Sequence, residues 1–110
     1  MNQFGVVITI EKNDGPVSDN DKVNIREDLS DIMYERRYAD FRRTGLYKTL
    51  HVEDEQRVSS RLVEYKTDEY AEEFKEIAED EELPLAEDIA HELQHLLGEG
   101  FRVSASIEDL

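Results

Sequence analysis

Phe4, Val6, Ile8 and Ile10 alternate with Gly5, Val7, Thr9 and Glu11 at the start of the chain, the period of a half-buried strand. Asn13-Asp14-Gly15-Pro16 ends that run as a turn. Ser18 or Asp19 can cap a following helix, because their side-chain oxygens accept hydrogen bonds from amides that lack helical partners. Ile25, Leu29, Ile32, Met33 and Arg36 share one face of this helix with acids opposite, and the pattern predicts it to about Tyr38, before Gly45.

Alternation returns from Leu46 to Val52 and again from Arg57 to Lys66. The polar Glu53-Asp54-Glu55-Gln56 between them makes the pair a predicted hairpin. Thr67 can cap a helix carrying Tyr70, Phe74, Ile77 and Ala78 as an apolar stripe. Pro84 interrupts it, since proline cannot donate the helical hydrogen bond but is tolerated in a first turn. A further helix places Leu85, Ile89, Leu93, Leu96 and Leu97 on one side and ends at Gly98 or Gly100. Phe101, Val103, Ala105 and Ile107 then alternate with Arg102, Ser104, Ser106 and Glu108 as a last strand.

The predicted order is β-α-β-β-α-α-β in a single domain, residues 1–110. Four strands with helices on one face fit an α+β, ferredoxin-like arrangement, a split β-α-β with a four-stranded antiparallel sheet. Its last strand lies beside its first in the sheet's interior. Such a fold carries no function by itself.

Charge changes the picture more than composition does. The 110 residues hold 13 basic and 28 acidic side chains, a formal net charge of −15. The excess concentrates at Asp68, Glu69, Glu72, Glu73, Glu76, Glu79, Asp80, Glu81 and Glu82, and continues through Glu87, Asp88 and Glu92. Such a field repels nucleic acid and anionic membranes and attracts basic surfaces. There is no cysteine, so disulfides and thiolate metal sites are excluded and a reducing cytoplasm is the natural compartment. No stretch approaches the roughly 20 apolar residues that span a bilayer. Met1-Asn2-Gln3-Phe4 lacks the basic start of a signal peptide.

Three constellations carry candidate chemistry. His91-Glu92-Leu93-Gln94-His95 is a literal H-E-x-x-H, which on a helix puts two imidazoles one turn apart with a glutamate between them. The segment resembles the active-site helix of zinc metallopeptidases, and that resemblance implies His91 and His95 as ligands with Glu92 as general base. Gly98 matches the longer form of the motif, but the third ligand of that form falls on Phe101, which has no lone pair. Both histidines lie opposite the Ile89–Leu93 stripe, so two exposed histidines in an acidic helix is the preferred reading.

The second constellation is the acidic run. Asp68, Glu72, Glu76 and Glu79, and Glu69, Glu73 and Asp80, form rows along a helix at spacings close to those of phosphates on a nucleic-acid backbone. A surface of this kind can occupy the basic groove of a DNA-binding protein. In size and charge the chain is similar to small acidic phage inhibitors of restriction, repair or CRISPR enzymes, which use that device. A net charge of −15 also exceeds the 2–8 units or so that solubility needs in a small domain.

The third is the basic and aromatic stretch Arg36-Arg37-Tyr38-Ala39-Asp40-Phe41-Arg42-Arg43, continued by Tyr47 and Lys48. Such interleaving occurs in nucleic-acid-binding surfaces. Set against the negative whole, its expected role is pairing with acids of the same chain or of a second copy, and stabilising the C-terminal end of a helix.

The expected function is that of a non-enzymatic binding protein without cofactor. The acidic region 68–92, chiefly its part from Asp68 to Glu82, would occupy a basic, nucleic-acid-binding surface of a protein partner as a DNA mimic, without direct contact to nucleic acid or membrane. The alternatives are a zinc-dependent hydrolase centred on His91, Glu92 and His95, and a structural homodimer, for which the edge at Leu46–Val52 offers a route.

Overall fold

A computed structural model describes residues 4–35, 46–65 and 83–109. In these residues the elements are β1 (Phe4–Lys12), α1 (Asp19–Glu35), a single 3-10 turn (Leu46–Lys48), β2 (Leu50–Asp54), β3 (Arg57–Tyr65), α2 (Leu83–Leu97) and β4 (Phe101–Asp109). The predicted helix between Thr67 and Pro84 falls outside the described residues, as do Arg36–Gly45.

The four strands form one antiparallel sheet in the order β2-β3-β1-β4. The last strand lies beside the first, as the sequence predicts, but at the edge of the sheet rather than in its interior. β1 and β3 are internal, while β2 and β4 are edges. Between β1 and β3 the register jumps from Val6↔Val63 to Val7↔Arg61, so Leu62 is the extra residue of a bulge.

One face of the sheet carries the core. Val6, Ile8 and Ile10 of β1 and Val58 and Leu62 of β3 are fully buried in one cluster. From α1 the cluster takes Ile25, Leu29, Ile32 and Met33, and from α2 it takes Ala86, Ile89, Ala90 and Leu93. Both described helices therefore cover that face. Val103, Ala105 and Ile107 of β4 pack against it from the edge.

Local chemistry places the helix ends. The Ser18 hydroxyl accepts from the Asp21 N–H at 3.0 Å, and the Asp21 carboxylate accepts from the Ser18 N–H at 2.9 Å. This reciprocal pair is a capping box with aspartate in the third position. Lys12 at the end of β1 reaches the same carboxylate at 2.7 Å and ties helix to strand. Pro84 is the second residue of α2, where its missing N–H costs nothing. Gly98 ends α2 at φ 79°, and its N–H donates to the Gln94 carbonyl.

The structure corrects the sequence reading at the second strand. Leu46–Lys48 form a 3-10 turn rather than strand, and β2 continues to Asp54, leaving only Glu55 and Gln56 to turn. The cause is Tyr47. Its ring is 1% exposed within the core, and its carbonyl accepts from the buried Ser60 hydroxyl at 3.1 Å. An extended strand through Leu46, Lys48, Leu50 and Val52 would send Tyr47 to the opposite face. Val52 is instead 62% exposed.

Candidate functional site

The acidic run Asp68, Glu69, Glu72, Glu73, Glu76, Glu79, Asp80, Glu81 and Glu82 lies outside the described residues. The structure does show the setting of other acids. Glu27 and Asp31 on α1, Glu53, Asp54 and Glu55 at the hairpin, and Glu87 and Asp88 on α2 are all exposed. Ion pairs hold Asp21 to Lys12, Asp19 to Lys22, and Glu11 and Asp54 to Arg57, the last two at 4.0 and 3.8 Å. The Arg57 pairs are loose and solvent-exposed and neutralise little charge, whereas the Lys12–Asp21 pair is short and partly buried.

Two carboxylates depart from ordinary behaviour in opposite directions. The hydrogen bond from Lys12, followed by that from the Ser18 N–H, holds Asp21 below the usual carboxylate value. Burial pushes Asp28 up, and the neighbouring charges of Asp31 and Glu27 push the same way. Asp28 lines a cleft of about 210 Å³ between the two helix ends, with Asp21, Asn24, Leu96, Leu97 and Phe101.

The H-E-x-x-H segment occupies the last turns of α2. His91 and His95 are exposed and Glu92 is half-buried, while Ile89 and Leu93 are fully buried on the opposite side. That is the division the periodicity predicts. Phe101 packs against the core, and among the described residues no group of three or more histidines and carboxylates could hold a metal ion.

Gln94, which the motif treats as a spacer, has a definite structural task. Its side-chain amide donates to the carbonyls of Gly98 at 2.9 Å and Phe101 at 2.7 Å, and its oxygen accepts from the Val103 N–H at 2.8 Å. One side chain thus joins the end of α2 to the start of β4. No sequence signal announces this, because the partners are backbone groups, which leave no mark in residue type.

The basic and aromatic stretch is reduced at its described end. The buried Tyr47 ring is unavailable for stacking on a base, and Lys48 sits 5.9 Å from its centroid. Arg36, Arg37, Tyr38, Phe41, Arg42 and Arg43 lie outside the described residues.

No protein-family model, curated protein or solved structure matches the chain. Among the described residues no helix is long and apolar enough to cross a membrane. The functional reading therefore rests on charge, exposure and geometry.

Proposed function

We propose that this is a small, non-enzymatic binding protein that occupies a basic, nucleic-acid-binding surface of a protein partner in the cytoplasm, acting as a DNA mimic. The observation that carries the reading is the net charge of −15 and its concentration in residues 68–82. The exposed acids of α1, α2 and the hairpin support it, because they add solvent-facing charge of the same sign. Its finer fold is the ferredoxin-like split β-α-β. The order β2-β3-β1-β4 supports that assignment, since β3 then lies between β1 and β2, which run in the same direction on either side of it.

The binding surface in this reading is Asp68, Glu69, Glu72, Glu73, Glu76, Glu79, Asp80, Glu81 and Glu82. The mechanism is competition, with carboxylates taking the lysine and arginine contacts that phosphates otherwise make. Affinity capture from the source lysate, with and without excess duplex DNA, tests it. The expected result is a nucleic-acid-binding protein displaced by the DNA and by moderate salt, and lost with Glu72→Lys, Glu73→Lys and Glu76→Lys together. Retention of the partner by that triple variant, or indifference to DNA and salt, would refute it.

A further inference from the structure

The two edges of the sheet are guarded differently, and β4 is the more open one. β2 is five residues long, and His51, Glu53 and Asp54 on it are exposed, so its edge is short and charged. β4 runs for nine residues, and among the described residues no strand lies beyond it. The Val103 N–H donates to Gln94, so it points away from β1. By the two-residue period of an antiparallel ladder, the backbone groups of Ala105 and Ile107 point outward with it. Gln94 satisfies only the first part of this edge, at Phe101 and Val103.

The order of residues along β4 is complementary to its own reverse. An antiparallel copy centred on Ala105 sets Arg102 opposite Glu108, Val103 opposite Ile107, and Ser104 opposite Ser106. Arg102 and Glu108 are both exposed on the face away from the helices. In this register they form the close, non-hydrogen-bonded type of cross-strand pair, in which side chains interact most directly. Val103, Ala105 and Ile107 remain partly exposed on the helix side, and an added strand would cover them.

We propose that β4 is the seam of a homodimer, in which two copies pair edge to edge about a two-fold axis through Ala105 to make one eight-stranded antiparallel sheet. Symmetry makes each favourable pair occur twice, as a self-complementary interface requires. The helices allow it. α2 contacts both β4 and β1, so its axis runs inside the edge. With strands about 4.8 Å apart, the two α2 axes lie on the order of 10 Å from each other, the separation of packed helices. The Val103 N–H exchanges the Gln94 oxygen for the Ile107 carbonyl of the second copy. The Phe101 carbonyl, with two lone pairs, keeps its bond to Gln94. Two chains of charge −15 repel each other, so added salt should tighten this dimer, whereas it should weaken the proposed contact with a basic partner.

Sedimentation equilibrium of the full chain over a concentration series, at salt of about 0.3 M to shorten the Debye length, tests the seam. The expected result is a reversible monomer–dimer equilibrium. Ala105→Pro removes an outward donor that a free edge does not use, so it should give a monomer with an unchanged circular-dichroism spectrum. Arg102→Glu should weaken the dimer about tenfold, because it places like charges opposite each other twice. Adding Glu108→Arg to Arg102→Glu should restore the original constant, a recovery that general damage to the fold would not give. If Ala105→Pro fails to fold, the charge exchange alone decides. A monomer at every concentration, a dimer that survives Ala105→Pro, or a charge exchange without recovery would overturn the proposal.

Discussion

α1 and α2 cover the same face of the sheet with stripes of similar depth, yet among the described residues the contacts that secure them lie at opposite ends. α1 is fixed at its start, where Ser18 and Asp21 cap each other and Lys12 ties the cap to β1. α2 is fixed at its finish, where Gly98 turns the chain and Gln94 binds three backbone groups of the segment that follows. A cap is a local device, built from residues three apart. The Gln94 connection reaches four to nine residues along the chain, from the end of the helix into β4. Among the described residues, two helices that share one core therefore depend on different contacts at their ends.

The largest test of the comparison asks whether the two stripes contribute equally. Leu29 on α1 and Leu93 on α2 are both fully buried. Truncating either to alanine should destabilise the fold by about 3 kcal/mol, the lost transfer energy plus the cavity left behind. Urea denaturation of Leu29→Ala and Leu93→Ala should give similar losses. A loss confined to one of them would mean that the helices are not equivalent parts of one core.

The helix ends come next, and here the two should differ. Gln94→Ala strips partners from the Gly98 and Phe101 carbonyls and the Val103 N–H in a partly buried corner, at a cost of about 2 kcal/mol. In the monomer, at low protein concentration, amide hydrogen exchange should quicken at Val103 while the α1 amides stay protected. Ser18→Ala removes one cap bond that water can partly replace, for a cost of about 1 kcal/mol. Its effect should be confined to faster exchange in the first turn of α1. Equal losses from the two substitutions, or loss of protection spread over both helices, would break the distinction.

These same residues show how far the sequence could be read. β1, α1, β3, α2 and β4 were legible because one apolar face imposes a period of two or of about 3.6 on them, and Ser18, Pro84 and Gly98 mark ends by local chemistry. The start of β2 was not legible. Leu46, Lys48, Leu50 and Val52 alternate as a strand would, but the burial of Tyr47 outweighs that pattern and bends the chain into a 3-10 turn. Val7 likewise sits among the polar positions of β1 and is nonetheless 1% exposed. Gln94 was hidden inside a motif whose metal-site reading assigns it no role. For the candidate site, the opposition of His91 and His95 to Ile89 and Leu93 could be read from helical spacing alone, whereas the acidic run 68–82 lies outside the described residues.

The smallest effect concerns two carboxylates of α1, and its sign separates them. Asp21 has a folded pKa below the ordinary 3.8, so its ionised form stabilises the native state above that value. This contribution disappears as the pH falls from about 3.8 through the folded value. Asp28 has a folded pKa above 3.8, so its protonated form is the one the fold prefers. Its contribution is fully present below 3.8 and is lost as the pH rises through the folded value. Acidification from neutrality should therefore first relieve Asp28 and only afterwards undo Asp21. In denaturation midpoints measured against pH, Asp28→Asn should flatten the upper part of the curve, and at pH 7 it should be neutral or mildly stabilising. Asp21→Asn should lower stability at pH 7, because the Lys12 pair is lost, and flatten the curve below about pH 4. If Asp28→Asn instead destabilises at pH 7, the carboxylate is engaged in its ionised form, and the cleft between the two helix ends holds a cationic partner for it.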